Sequence, residues 1–146
     1  MFVADTNVLV YAADRDSPHH RRCFELLESW RRSSSAWFIT WGIVYEFLRV
    51  ISHPRVLRKP WSGAEAWSYI EAVLASPGLE VLVASERHAS VAAQTVRELP
   101  HLAGNLMHDA HTAILMREHG VLRIYTRDTD FHRFAFIEPL DPLTEG

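Results

Sequence analysis

Cysteine and lysine are almost absent from this chain: Cys23 and Lys59 are the only ones in 146 residues. One cysteine excludes an intrachain disulfide and any zinc site assembled from cysteines, and it fits a reducing cytoplasm. Surplus positive charge is missing as well. The formal net charge of -3 argues against a protein that grips nucleic acid through bulk positive charge. The apolar stretches stop well short of the ~20 residues that a membrane helix needs. The opening Met1-Phe2-Val3-Ala4-Asp5 also lacks the basic region of an export signal. The expectation is a soluble, unexported chain with no membrane partner.

What the chain does have is the composition of one globular domain, 48% hydrophobic and 23% charged, long enough to bury a real core. A single domain over residues 1–146 is expected, without repeat, low-complexity tract or linker. Its basic residues other than Lys59 are arginines, a skew read mainly as genomic base composition, although the guanidinium suits phosphate contacts. The exposed-looking arginines around positions 15–32 and 55–58, with Lys59, read as solvated helix or loop. Trp30, Trp37, Trp41, Trp61 and Trp67 read as core or interface packing ahead of base stacking. Most of the nine histidines show no ligand spacing.

Strand-like and helix-like segments alternate. Phe2-Val3-Ala4 reads as a strand, followed by a helix from Val8 to Ala13 that Thr6 or Asn7 would cap. A second helix opens near Ser17-Pro18, with Cys23, Leu26, Leu27 and Trp30 as its buried stripe. Residues 36–40 form a strand and 41–51 a helix, stopped at His53-Pro54. Ser62 with Glu65 caps a helix over 64–75, and 79–83 is a strand. Helices follow over about 85–99 and 106–119, the latter ended by Gly120. A strand over 121–125, a short helical turn over 130–134, a strand over 136–138 and a tail from Pro139 complete the chain. This alternation implies a mostly parallel sheet covered on both faces, with ligands bound beyond the carboxyl ends of its strands.

Four acidic signals fit that edge. Asp5 and Asp128 lie at or just after strand ends, with Asp130 two residues further on. Alone, Asp5 is equally readable as a turn or cap, and one of Asp128 and Asp130 is placed to cap the next turn. Glu46 lies in an apolar helix, with Ile43 and Val50 on its face, where an unpaired carboxylate would be costly to bury. A structural salt bridge to an arginine is the competing reading. Asp109 shares a face with Asn105, Ala113 and Met116, away from the solvated side carrying Arg117 and Glu118, so it points to the interior or a cleft. Its place near a helix N-terminus offers a structural alternative. Gathered together, the acids would need a cation, and oxygen-only ligands suit Mg²⁺ or Mn²⁺. His108 and His111 lack the glutamate of a His-Glu-x-x-His site. Such ions favour phosphodiester hydrolysis.

Asp5-Thr6-Asn7, Glu46, Asn105, His108-Asp109-Ala110-His111 and Thr126-Arg127-Asp128-Thr129-Asp130-Phe131, in this order and spacing, resemble the PIN-domain family, and within it the VapC-type toxins. The resemblance covers nearly the whole chain. It implies a three-layer α/β/α domain with a mostly parallel five-stranded sheet in the order 3-2-1-4-5, and a Mg²⁺- or Mn²⁺-dependent endoribonuclease that hydrolyses RNA with metal-activated water. It implies Asp5, Glu46, Asp109 and Asp128 as the catalytic, metal-binding quartet, with Asp130 as an accessory ligand. Thr6 and Thr126 would orient the quartet, and Asn7 and Asn105 would support it from behind. It also implies a VapB-type antitoxin and a homodimer; the cytoplasmic setting is the reading of the lone cysteine. Two other readings stand beside the resemblance. A phosphoacceptor or phosphatase-like domain needs a suitably placed lysine, and Lys59 sits in a connector next to Pro60. A non-catalytic protein- or RNA-binding module would keep the acids for structure.

Overall fold

The computed structural model describes residues 1–144. Its elements are β1 (Val3–Ala4), α1 (Thr6–Ala13), α2 (His20–Arg32), β2 (Trp37–Thr40), α3 (Trp41–Ile51), α4 (Gly63–Leu74), β3 (Leu79–Leu82), α5 (His88–Glu98), α6 (Leu106–His119), β4 (Arg123–Tyr125), a 3₁₀ turn (Thr129–Arg133) and β5 (Glu138–Leu140). The five strands form one sheet in the order β3-β2-β1-β4-β5, and every pairing is parallel. The expected α/β architecture and strand order are therefore present, with helices covering the sheet. The chain builds outward from β1 to β3 and then returns to lay β4 against the other side of β1. The strand order thus reverses between β1 and β4, which is where such sheets place ligands.

Local chemistry sets the element boundaries. The Asp5 carboxylate accepts the Thr6 amide at 2.8 Å and caps α1, so the helix starts at Thr6, earlier than Val8, and neither Thr6 nor Asn7 is its cap. Thr40 caps α3 by accepting the Ile43 amide. Ser62 and Glu65 form a reciprocal capping box on α4. Gly120, at φ 71°, ends α6 in the left-handed conformation. The last strand lies at Glu138–Leu140 and not over 136–138. Ile137 is buried, and Phe136 is used instead as a platform for the Arg117 guanidinium, 4.4 Å from its ring centre. Pro139 is tolerated because β5 is an edge strand. Its ladder bonds come from Glu138 N–H to Leu122 O and from Thr126 N–H to Leu140 O, so the missing N–H faces away from β4.

The core pins β1 in the centre of the sheet. Phe2, Trp30 and Tyr125 meet with ring centres 4.8–5.0 Å apart, and Trp30 also packs on Trp37 at 5.6 Å. Cys23, Leu26, Leu27 and Trp30 form the buried stripe of α2, as their spacing predicts. Burying each large side chain of this kind contributes roughly 1.5–3 kcal/mol. Trp30 and Trp37 are core residues, whereas Trp41 and Trp67 are exposed. Glu118 corrects the sequence expectation: it lies in the interior, where its carboxylate accepts the Ser85 amide at 3.0 Å and the Ser85 hydroxyl at 2.5 Å and meets His88 Nδ1 at 2.6 Å. A fully hydrogen-bonded carboxylate can be buried where an unpaired one could not.

Candidate active site at the carboxyl edge of the sheet

Parallel pairing of Val3 with Ile124 and of Ala4 with Tyr125 brings the residues that follow β1 and β4 side by side. Asp5 is buried there. Its Oδ2 accepts the Thr126 hydroxyl at 2.8 Å and the Asn7 amide at 3.1 Å, while Oδ1 accepts the Thr6 amide. The Thr126 oxygen in turn accepts the Asp128 amide at 2.9 Å, and Asn7 Oδ1 accepts the Arg127 amide at 3.0 Å. Asn7 therefore clamps the segment after β4 to α1, and Thr126 orients both Asp5 and the backbone of Asp128. Thr6 plays a different part from the one expected: its hydroxyl donates to the Ile43 carbonyl at 3.3 Å, tying α1 to α3, and only its amide holds Asp5.

Asp5, Thr6 and Asn7 line one cleft of about 780 Å³, which also takes in Glu46, Asn105, His108, Asp109, His111, Asp128 and Asp130. All five acidic candidates thus reach the same space. Asp109, in the first turn of α6, Asp128 and Asp130 each place a carboxylate oxygen within 4.8 Å of the others. Asp128 also accepts the Asp130 amide at 2.9 Å, so it caps the 3₁₀ turn as well as facing the cleft. Asn105 stands immediately before α6 and lines the cleft without capping the helix through its side chain.

The electrostatics follow from this crowding. Burial, with a smaller push from Asp128, raises the Asp5 carboxyl to about 6 against the hydrogen bonds that favour its ionised form. Burial and the negative charges of Asp128, Asp5 and Asp130, with a hydrogen bond shared with Asp128, raise Asp109 to about 7. Carboxylates held this close cannot all ionise without a cation. The donor set is oxygen-rich and hard, and it suits a divalent ion of the Mg²⁺ or Mn²⁺ kind. The residues present fit such an ion: Asp109, Asp128 and Asp130 would hold it, with Asp5 against them.

Glu46 lines the cleft for a different reason from the one its neighbours suggest. Its side chain is 46% exposed, not buried in an apolar face. The core side of α3 is Ile43, Val44, Phe47 and Ile51, and Gly42, Glu46, Arg49 and Val50 form a second stripe along the cleft wall. Arg49 engages both Glu46 oxygens, at 2.6 and 3.1 Å. Sequence reasoning missed Arg49 as a cleft residue; the i, i+3 spacing from Glu46 was the available signal. His108 and His111 also line the cleft, and burial and the neighbouring His88 and His108 hold His111 below the usual imidazole range.

A family model described as PIN domain matches residues 2–137. The chain is 32% identical over 145 residues to Ribonuclease VapC33 of Mycobacterium tuberculosis, covering 99% of this chain and all of that one. It is 31% identical over 140 residues to Ribonuclease VapC48 of the same organism, covering 96% of each. Among solved structures, VapBC2 from Rickettsia felis, bound to a DNA fragment from its promoter, superposes with a TM-score of 0.64 at 17% identity over 96% of this chain and 98% of that one. That likeness speaks for the fold.

Proposed function

The chain belongs to the PIN-domain family, and from that premise we propose that it is a metal-dependent endoribonuclease, the toxin of a toxin–antitoxin pair. The observation that carries the reading is the convergence of Asp109, Asp128 and Asp130 within 4.8 Å, beside Asp5, at the sheet's switch point. The relatives' names as ribonucleases support RNA as substrate. The likeness to a VapBC assembly supports a VapB-type antitoxin as partner. Mg²⁺ or Mn²⁺ dependence, the homodimer, the cytoplasmic setting and one nuclease domain over the whole chain belong to the same proposal. Among the described residues no lysine lines the cleft, which speaks against a phosphoacceptor, and raised carboxyls in an open cleft speak against a purely structural use of the acids.

The protein's own contribution is positioning. Thr126 and Asn7 fix Asp5, the Thr126 hydroxyl fixes the Asp128 backbone, and the first turn of α6 presents Asp109. A divalent ion bound there would lower the pKa of water and offset charge on the attacking and leaving oxygens of a phosphodiester. The raised Asp109 is placed to take or hold a proton near neutral pH when the ion is absent. Purified protein incubated with structured RNAs tests this reading. Cleavage with Mg²⁺ or Mn²⁺, none in chelator and a loss of at least 100-fold in Asp5→Asn are expected. Equal inertness of wild type and variant, or activity independent of metal, overturns it.

A further inference from the structure

A cleft walled by five carboxylates repels the polyanion it is proposed to cut, so some group on its wall must meet the RNA backbone. Asp5, Glu46, Asp109, Asp128 and Asp130 line the cleft, and among the described residues Arg49 is the one guanidinium lining it. We infer that Arg49 is a substrate-binding residue that takes a backbone phosphate of the RNA at the mouth of the cleft, and that Glu46 positions it. The inference rests on the endoribonuclease reading and adds a contact to it.

Three features support this assignment. First, Arg49 and Glu46 stand three residues apart on the cleft stripe of α3, joined through Nε and Nη2 to the two carboxylate oxygens. That fork geometry fixes the guanidinium's plane and leaves its remaining N–H groups for another oxyanion such as phosphate. Second, the side chain is 61% exposed. An exposed pair of this kind contributes little to stability, so the fold gives no strong reason for the pairing. Third, the other arginine near the acids, Arg133, reaches Asp130 at 3.3 Å but does not line the cleft, and Arg127 is engaged by Asp141 at 2.8 Å. Each Glu46 oxygen accepts one Arg49 contact and keeps a second lone pair, so the carboxylate can aim Arg49 and still face the acidic cleft.

A phosphate contact is independent of sequence, so the test needs no knowledge of the natural RNA. The probe is a fluorescein-labelled, randomised single-stranded RNA of about 30 nucleotides, titrated with Mn²⁺ present against proteins that all carry Asp5→Asn, so that cleavage is suppressed. In that background the otherwise unchanged parent, Arg49→Ala and Arg49→Lys are compared with Arg21→Ala, an exposed helix arginine paired to Glu25. Loss of a charge-assisted contact is expected to weaken Arg49→Ala about 10-fold or more and to lower the salt slope by about 1. Arg49→Lys, which keeps the charge without the fork, should fall between, and Arg21→Ala should match the parent. In cleavage assays with metal and Asp5 intact, Arg49→Ala should raise KM and leave kcat within about 3-fold. Parental affinity in Arg49→Ala, an equal loss in Arg21→Ala, or a loss confined to kcat overturns the inference while wild type still cleaves. Failure of wild type to cleave any RNA with metal overturns the endoribonuclease reading instead.

Discussion

One carboxylate does two jobs at Asp5: it caps α1 and it forms the back of the acidic cluster. Capping, the Thr126 hydroxyl and the Asn7 amide together hold its oxygens fixed, so the residue behind the cluster is as constrained as the cluster itself. Replacing Thr126 with the isosteric valine removes the donor to Asp5 and the acceptor for the Asp128 amide. The Mn²⁺ concentration giving half-maximal RNA cleavage should rise 10- to 100-fold, the usual effect of losing a supporting partner; an unchanged midpoint would show that Thr126 orients nothing. Asp109 supplies a second prediction through linkage. Its folded pKa, about 7, lies above the ordinary carboxyl value, so between about pH 4 and pH 7 the unfolded chain sheds a proton that the fold retains, and stability falls as pH rises. Melting curves in chelator should show Asp109→Asn equal to wild type near pH 4 and more stable by pH 8. A constant difference across that range would contradict the raised carboxyl. At this scale the acids were legible as residue types at strand ends, but the surroundings of Glu46 were not. An apolar helix that packs one side on the core and turns another to a cleft carries apolar neighbours on both, so sequence context could not tell that Glu46 is open to solvent and held by Arg49.

Elements meet through contacts that sequence patterns do not announce. The end of α6 is tied to the loop after β3 by buried Glu118, which Ser85 and His88 reach from 33 and 30 residues away. Nothing local distinguishes it from the solvated Glu98, which pairs with Arg117 instead. Gly78, just before β3, is needed for a close approach of chain segments: a Cβ there would lie 2.1 Å from the Ser35 carbonyl oxygen that precedes β2. Gly78→Ala should therefore cost about 1–3 kcal/mol in urea unfolding, as forced overpacking does. Gly63 opens α4, and a Cβ added there would meet nothing within 4 Å, so Gly63→Ala should instead add about 0.4–1 kcal/mol by restricting the unfolded chain. Equal effects at the two glycines would mean that the β2–β3 approach is looser than the structure shows. The side-chain-capped starts of α3 and α4 were legible to within a residue; that of α1 was not, because Asp5 and not Thr6 or Asn7 caps it. The start of α5 at His88 and the edge strand with its proline were not legible either, because α5 has no side-chain cap and β5 depends on pairing with β4.

Over the whole molecule, alternating strands and helices identified a parallel sheet from sequence, and the motif order matched the family whose strand order the sheet adopts. That order is a long-range property: β1 contributes only two residues, yet its place between β2 and β4 joins acids 5 and 128, which are separated by most of the chain. Among the described residues no helix is long and apolar enough to cross a membrane. A chain with net charge -3 and a cleft walled by carboxylates can act on a polyanion only if a cation answers that charge, so divalent-ion binding is the claim on which the functional account stands. Calorimetric titration of the metal-free protein with Mn²⁺ at pH 7.5 tests it most directly, beside Asp128→Asn and Asp109→Asn. The account predicts saturable binding with proton release by wild type, and binding weakened at least 10-fold in each variant. Absence of saturable heat in wild type, or the same affinity in all three proteins, would contradict it.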